Sequence, residues 1–159
     1  ANVASWPWVR VLSVAVADVE GPRTLYRDTD RRRSSLWEQN LAENAKSSVD
    51  VWALALDDLA AMVPQLRAIK IDAQGAEAQI LTGGWRTLRD PRLTWFVELW
   101  AEGLAHAGSS SDAVIDQFES TGWLPIGSAW DTIRLAARGH SGHSSTDIHL
   151  QHRDRPNDE

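Results

Sequence analysis

The chain has 159 residues, of which 43% are hydrophobic and 24% are charged, and its formal net charge is −6. This composition suits one globular domain with a buried core, and its acidic balance argues against nucleic acid as the main partner, because phosphate binding needs a clustered basic face. The absence of cysteine excludes disulfides, thiolate nucleophiles and cysteine-based metal sites. The longest apolar run, at 51–56, is too short to cross a membrane and no signal peptide opens the chain, so we expect a cytoplasmic protein without membrane contact.

The first half of the chain predicts three strands and one short helix. The strands are predicted at residues 9–17, 23–26 and 48–56, where apolar and β-branched side chains predominate. The polar stretch at 27–48 indicates a long loop. Asp57 is expected to cap a short helix that Pro64 ends.

In the second half, short apolar strands alternate with amphipathic helices. The strands are predicted at residues 68–72, 93–99, 123–130 and 146–152. A helix at 75–88 contains the pair Gly83–Gly84, which we expect to pack closely against the sheet. A second helix opens at a capping box formed by Ser109 and Asp112, and its inward-facing residues are predicted to be Val114, Ile115 and Phe118.

This alternation predicts the fold class. Strands separated by helices form βαβ units around a parallel sheet. We therefore expect one α/β domain at residues 1–153, with a Rossmann-like, mostly parallel sheet and helices on both of its faces. The polar residues 154–159 predict a disordered tail.

Polar side chains stand at the ends of three predicted strands. Asp18 closes the first strand, Asp72 closes the strand that carries Lys70, and Glu98 lies near the end of the next strand. In open α/β sheets, ligands bind beyond the carboxyl ends of the strands. We expect the strand of Lys70 and Asp72 to be a central parallel strand of the sheet. Because side chains alternate along a strand, the two residues share a face, about 7 Å apart. They predict either a ligand site or a structural ion pair that satisfies itself.

An ordered set of motifs resembles the signature block of the FkbM family of methyltransferases. The set comprises IKIDAQGAE at 69–77, ILTGG at 80–84 and FVE at 96–98, with AVAD at 15–18 and LDDL at 56–59 before them. The resemblance covers residues 9–126. Gln74 stands where many members of that family have Glu.

The resemblance implies a class I methyltransferase fold with S-adenosylmethionine as cofactor. It also implies a small-molecule acceptor that is methylated on a hydroxyl, often on a sugar or a secondary-metabolite-like product. Enzymes of this kind begin with a strand and a Gly-rich loop that holds the methionine part of the cofactor. No two of the ten glycines form a G-x-G arrangement, so we expect a domain that is truncated at its N-terminus.

Under this resemblance, the residues divide into three roles. Asp72 and Glu98 are the catalytic candidates, to position the acceptor and take up its proton. The cofactor-binding candidates are Ala17, Asp18 and Asp72, and the supporting ones are Lys70, Glu77 and His106. His106 is expected in the loop after the strand of Glu98. Asp18 equally suits a turn, and Glu77 equally suits a helix whose dipole it complements.

Two other functions fit parts of the sequence. His140, His143, His149 and His152 cluster near the C-terminus and could form a metal-binding module, since imidazole binds zinc or nickel. A strand at 146–152 would, however, point His149 and His152 to opposite faces. The third possibility is a non-catalytic remnant of the fold that binds a partner through an uncovered edge or face.

Overall fold

The computed structural model describes residues 6–27, 34–41, 47–139 and 145–155, and two four-stranded sheets organise them. The N-terminal sheet has the strand order β1-β4-β2-β3. Only β1 and β4 run parallel, and the other pairs are antiparallel. The strands are β1 (Val14–Ala17), β2 (Gly21–Arg27), β3 (Ser34–Ser35) and β4 (Ser47–Ala55).

The C-terminal sheet has the strand order β5-β6-β8-β7. Strands β5 and β6 are parallel, while β8 runs antiparallel to both of its neighbours, β6 and β7. The strands are β5 (Ala68–Ile71), β6 (Thr94–Leu99), β7 (Trp123–Pro125) and β8 (Thr146–His152).

The predicted fold class is wrong. In place of one Rossmann-like, mostly parallel sheet of the class I methyltransferase type, the described chain has two small mixed sheets in which antiparallel pairs outnumber parallel ones. The cause is chain connectivity. No helix separates β1 from β2, and β2 folds back along β4 as an antiparallel strand. A parallel neighbour requires a long crossover, usually a helix, as the helical segment between β5 and β6 provides.

Five α-helices lie among the described residues: α1 (Leu56–Ala61), α2 (Glu77–Gly83), α3 (Ala101–His106), α4 (Ser111–Ser120) and α5 (Trp130–Gly139). Two short 3₁₀ helices cover Glu38–Asn40 and Thr87–Arg89. Helix α2 ends at Gly83, earlier than predicted, because Gly83–Gly84 interrupts it. Within the described ranges, no helix combines the length and the apolar character needed to cross a bilayer.

The core lies on one face of the C-terminal sheet. Trp95, Val97 and Leu99 alternate along β6 and are each at most 2% exposed. They pack against α4, whose Val114, Ile115 and Phe118 are fully buried, as the sequence predicted. The cap of α4 is Ser110, which accepts a hydrogen bond from the Ala113 amide, and not the predicted Ser109.

The opposite face of the C-terminal sheet remains open to solvent in the described chain. Phe96 of β6 is 40% exposed and stacks on His149 of β8, with ring centroids 4.3 Å apart. Lys70 of β5 stands beside Phe96 and is exposed as well. The expectation of helices on both faces is therefore wrong for this sheet.

The N-terminal sheet rests on α2. A side chain at Gly83 would collide with the carbonyl oxygen of Ala17 in β1, and one at Gly84 would collide with Leu56. The close packing against a sheet is thus confirmed for Gly83, whereas Gly84 packs against the first residue of α1. Only the last four residues of the strand predicted at 9–17 are paired, and Val11 and Leu12 are exposed.

Candidate functional site

Asp72 and Glu98 meet at the ends of two parallel strands. The register pairs Lys70 with Phe96, so Asp72 follows β5 opposite Glu98 of β6. This register places the two side chains at neighbouring positions on one face of the sheet. The strand ends therefore bring Asp72 and Glu98 together, whereas Asp18 follows β1 in the other sheet.

Asp72 is held by its own strand and loop. The Lys70 ammonium lies 3.2 Å from Asp72 Oδ2, and the Gln74 side-chain amide donates to Asp72 Oδ1 at 3.0 Å. Partial burial acts to raise the pKa of Asp72, but the hydrogen bonds from Gln74 and Lys70 outweigh it, and the pKa is lowered. Asp72 is therefore a stable anion that accepts hydrogen bonds rather than a strong proton acceptor.

The two carboxylates belong to a row of three. Glu98 pairs in register with Asp147 of β8, so Asp72, Glu98 and Asp147 lie side by side across three strands. The Ser145 hydroxyl donates to Glu98, and Lys70 is attracted by all three carboxylates. Three carboxylates with one ammonium make this end of the open face acidic.

Glu77 closes the loop between β5 and α2. It is 1% exposed, and its carboxylate accepts the backbone N–H groups of Ala73 and Gly75 at 3.0–3.2 Å. Gln74 and Gly75 adopt positive φ values of 52° and 104°, which lets the loop curl around the carboxylate. Burial raises the pKa of Glu77 despite these hydrogen bonds. Glu77 is thus a structural residue that shapes the loop beside Asp72.

Asn40 connects this loop to α3, and sequence reasoning missed it. Its side chain is buried, and its Nδ2 donates to the Gln74 carbonyl at 2.7 Å and to Ser35 Oγ at 3.1 Å. Its Oδ1 lies 2.6 Å from His106 Nδ1. His106 was expected in a loop, but it ends α3. One polar network therefore runs from His106 to the loop that carries Asp72.

The other predicted cofactor residues lie in the N-terminal sheet. Ala17 is fully buried against α2, and the Asp18 carboxylate is bonded to Arg23 at 3.4 Å within its own turn. Their cofactor role stays a prediction. The expectation that Lys70 and Asp72 lie on a central strand is wrong, because β5 is an edge strand that pairs with β6 alone in the described part of the sheet.

The methionine end of S-adenosylmethionine carries a carboxylate, which needs free N–H donors or a cation. The strand–loop–helix junction at 72–77 is the described segment most similar to a cofactor loop, but Glu77 occupies the N–H groups of Ala73 and Gly75. A cleft of about 180 Å³ between the N-terminal sheet and the loop and helix that follow β5 is lined by small and apolar residues, among them Val16, Leu36 and Ile80, and by no charged one. Neither this junction nor this cleft therefore fits this part of the cofactor.

The C-terminal histidines do not assemble into a metal site in the described chain. His149 stacks on Phe96 on the open face, whereas His152 packs edge-on against the buried Trp123. The predicted opposite orientation of these two rings is confirmed. His140 and His143 lie outside the described residues, and the described His, Asp and Glu side chains form no group of three that could hold a metal ion together.

Comparison of the chain with protein families, with curated proteins and with solved structures finds no match. The resemblance to FkbM methyltransferases therefore rests on the sequence motifs alone.

Proposed function

We propose that the chain is part of a cytoplasmic S-adenosylmethionine-dependent methyltransferase of the FkbM type, which methylates a hydroxyl of a sugar or a secondary-metabolite-like small molecule. In this proposal, the described residues supply the side of the site that binds the acceptor. The junction at 72–77 is not assigned to the methionine end of the cofactor, because Glu77 occupies the N–H groups of Ala73 and Gly75.

The observation that carries the proposal is the meeting of Asp72 and Glu98. The two residues stand in separate motifs of the FkbM-like block, 26 positions apart in the sequence. In the fold, their carboxyl groups are neighbours at the carboxyl ends of two parallel strands. Ligands of α/β sheets bind at such strand ends.

The chemistry of this pair suits a hydroxyl acceptor. Asp72 is 40% exposed, so one of its oxygens can accept a hydrogen bond from a ligand while Lys70 and Gln74 hold the carboxylate in place. A fixed acceptor of this kind aligns a hydroxyl oxygen for attack on a methyl donor, and alignment contributes several kcal/mol to catalysis. Lys70 and Gln74 are then positioning residues.

The test is a methyl-transfer assay on the protein in the form that its source produces. Radiolabelled S-adenosylmethionine is offered with a panel of sugars and polyketide-like alcohols. Asp72→Asn and Glu98→Gln are each expected to lower kcat/KM about 10²-fold, because the acceptor loses its alignment.

Asp147→Asn is the matched control. Asp147 belongs to the same acidic row but lies one strand further from Asp72, so its substitution is expected to change the rate less than threefold. Transfer to no hydroxyl compound, or an unchanged rate in Asp72→Asn, would contradict the proposal.

A further inference from the structure

A cavity of about 330 Å³ lies at the opposite end of β5 and β6 from the proposed acceptor site. Leu66 and Leu93, which precede these two parallel strands, line it, whereas Asp72 and Glu98 stand at the carboxyl ends. Its other walls are α1 with the turn after it and the 3₁₀ helix at Thr87–Arg89. Pockets that bind small molecules measure about 300–1,000 Å³, so this cavity has room for a small ligand.

Much of the lining of this cavity is apolar. Leu93 is 1% exposed, and Leu66 packs against the core of the C-terminal sheet. Further apolar lining comes from α1 and the turn after it, at Ala60, Val63 and Pro64. Val63 is 49% exposed, so the described chain leaves part of this apolar surface in water. A ligand with an apolar body gains free energy by covering it.

Asp57 fixes Arg86 in the wall of the cavity. Asp57 Oδ1 accepts the Thr87 amide and hydroxyl at 2.8 and 2.7 Å, and Asp57 Oδ2 accepts the Arg86 amide and Nε at 3.0 and 3.2 Å. Each oxygen of this carboxylate therefore already holds two donors. The Arg86 guanidinium is engaged only through Nε, and its two Nη groups have no hydrogen-bond partner among the described residues.

Asp90 holds Arg92 in a similar way. Arg92 Nε lies 2.9 Å from Asp90 Oδ1, and Arg92 Nη2 lies 2.6 Å from Asp90 Oδ2. The remaining Nη1 has no partner in the described part of the chain. Arg67 also attracts the Asp90 carboxylate. Three arginines thus oppose two carboxylates at this cavity, in a chain whose net charge is −6, so an anionic ligand is favoured here.

The free edge of Arg86 matches a carboxylate. The two oxygens of a carboxylate accept parallel hydrogen bonds from the two Nη groups of one arginine, and such pairs are stronger than hydrogen bonds between neutral groups. A neutral ligand would leave the excess positive charge unbalanced. A molecule that joins a carboxylate to an apolar body uses both the cationic and the apolar parts of the cavity.

From this cavity we infer a second ligand site, which binds a small molecule that carries one carboxylate on an aromatic or branched apolar body. The carboxylate binds to Arg86, with Nη1 of Arg92 as a further donor. The apolar body lies on Leu66 and Leu93. This inference does not rest on the proposed function, because none of the residues that line the cavity belongs to the acceptor site.

The test is a titration of the ¹⁵N-labelled protein with phenylacetate and with the branched 3-methylbutanoate, followed by two-dimensional NMR. The amide signals of residues 60–66 and 86–93 are expected to shift and to saturate at millimolar ligand, while those of residues 72–77 stay unchanged. If neither compound binds, or if the shifts fall at 72–77 instead, the inference is overturned.

Two matched compounds separate the contributions of charge and apolar surface. Phenylacetamide keeps the aromatic body without the charge and should bind about tenfold more weakly than phenylacetate, because it loses charge-assisted hydrogen bonds. Acetate keeps the charge without the body and should also bind about tenfold more weakly. Equal binding of phenylacetamide would exclude a carboxylate site, and equal binding of acetate or inorganic phosphate would exclude a site for an apolar body.

Variants locate the site. Arg86→Met keeps an apolar stem and removes the donors, so phenylacetate should bind about tenfold more weakly. Arg89→Met is the matched control and should leave the affinity unchanged, because Arg89 belongs to the same 3₁₀ helix but lies over the Trp85 ring and does not line the cavity. Ala60→Leu keeps both arginines and fills the cavity, so it should abolish binding. The spectrum of each variant without ligand shows that it is folded.

The results of these variants bear only on this site. Equal losses of affinity in Arg86→Met and Arg89→Met, or full affinity in Ala60→Leu, would overturn the inference. Binding is measured without methyl transfer, so a failure here leaves the proposed function standing. A protein that transfers no methyl group but binds phenylacetate would overturn the proposed function alone.

Discussion

The two sheets of this molecule are stabilised in different ways. The C-terminal sheet buries Trp95, Trp123 and Leu150 completely on one face. The buried side chains of the N-terminal sheet are small, with Ala17 and Ala53 at 0% exposure, while its one tryptophan, Trp52, is 50% exposed. Burial of large apolar side chains is the main source of folding free energy. The C-terminal sheet therefore forms the stable unit, and the N-terminal sheet depends on its contacts with that unit.

Those contacts are few and specific. Gly83 of α2 touches the Ala17 carbonyl, and Asn40 joins the segment after β3 to the loop after β5. Asp57 of α1 accepts the backbone N–H groups of Arg86 and Thr87 at 3.0 and 2.8 Å. The sequence predicted that Asp57 caps its own helix. Asp57 instead accepts hydrogen bonds at the start of the 3₁₀ helix after α2. Of these contacts, that of Asn40 reaches the loop beside Asp72.

The largest expected effect tests the source of stability. Trp95→Ala should lower the free energy of unfolding by about 3–5 kcal/mol, because it empties the centre of the core. Trp52→Ala should cost about 1 kcal/mol or less, since half of that side chain is already in water. Denaturant titration measures both values, and similar losses for the two variants would contradict the difference between the sheets.

A smaller effect should be confined to the N-terminal sheet. Gly83→Ala places a methyl group against the Ala17 carbonyl. Such overpacking should lower the free energy of unfolding by about 1–3 kcal/mol. Hydrogen exchange should accelerate for the amides of β1 and β4 and remain slow for those of β6 and β8. Thr82→Ala, at the exposed neighbouring position, is the control. Equal acceleration in both sheets would mean that they unfold as one unit.

The smallest effect concerns Glu77 and pH. Because its folded-state pKa is raised above the unfolded value of about 4.3, the native state binds more protons than the unfolded state between the two values. Stability should therefore fall as pH rises through that window, by at most about 1.4 kcal/mol per pH unit. The slope should be absent in Glu77→Gln. If the unsubstituted chain instead becomes more stable than Glu77→Gln as pH rises through this window, the raised pKa of Glu77 is wrong.

Local pattern predicted most strands but not their arrangement. The strand predicted at 146–152 has the same bounds as β8, and both ends of β4 lie within one residue of the predicted ones. Helix α3 has only six residues, too few to show a periodicity. In α5, Ile133 and Ala137 follow helical spacing, but no helix was predicted after the strand at 123–130. The division into two sheets depends on strand pairing between distant segments, which the alternation of elements does not encode.

For the site, the sequence indicated the strand ends but not the supporting network. Asp72 and Glu98 were found because each follows or ends an apolar strand, and parallel strands bring their ends together. Asn40 lies in a polar stretch without any motif, and its partners Gln74 and Gly103 are 34 and 63 positions away. The role of Glu77 was equally hidden, since a buried carboxylate and a helix-dipole carboxylate look the same in a sequence.

The uneven burial of the tryptophans gives the molecule two distinct optical signals. Trp95, Trp100 and Trp123 are at most 4% exposed, whereas Trp8, Trp52 and Trp85 are at least half exposed. Indoles in water emit at longer wavelength and are quenched by small solutes such as iodide, while enclosed indoles are shielded from both effects. Iodide therefore dims the red-shifted part of the fluorescence and leaves the blue-shifted emission of the C-terminal core, so the loosening of this core can be followed without any added label.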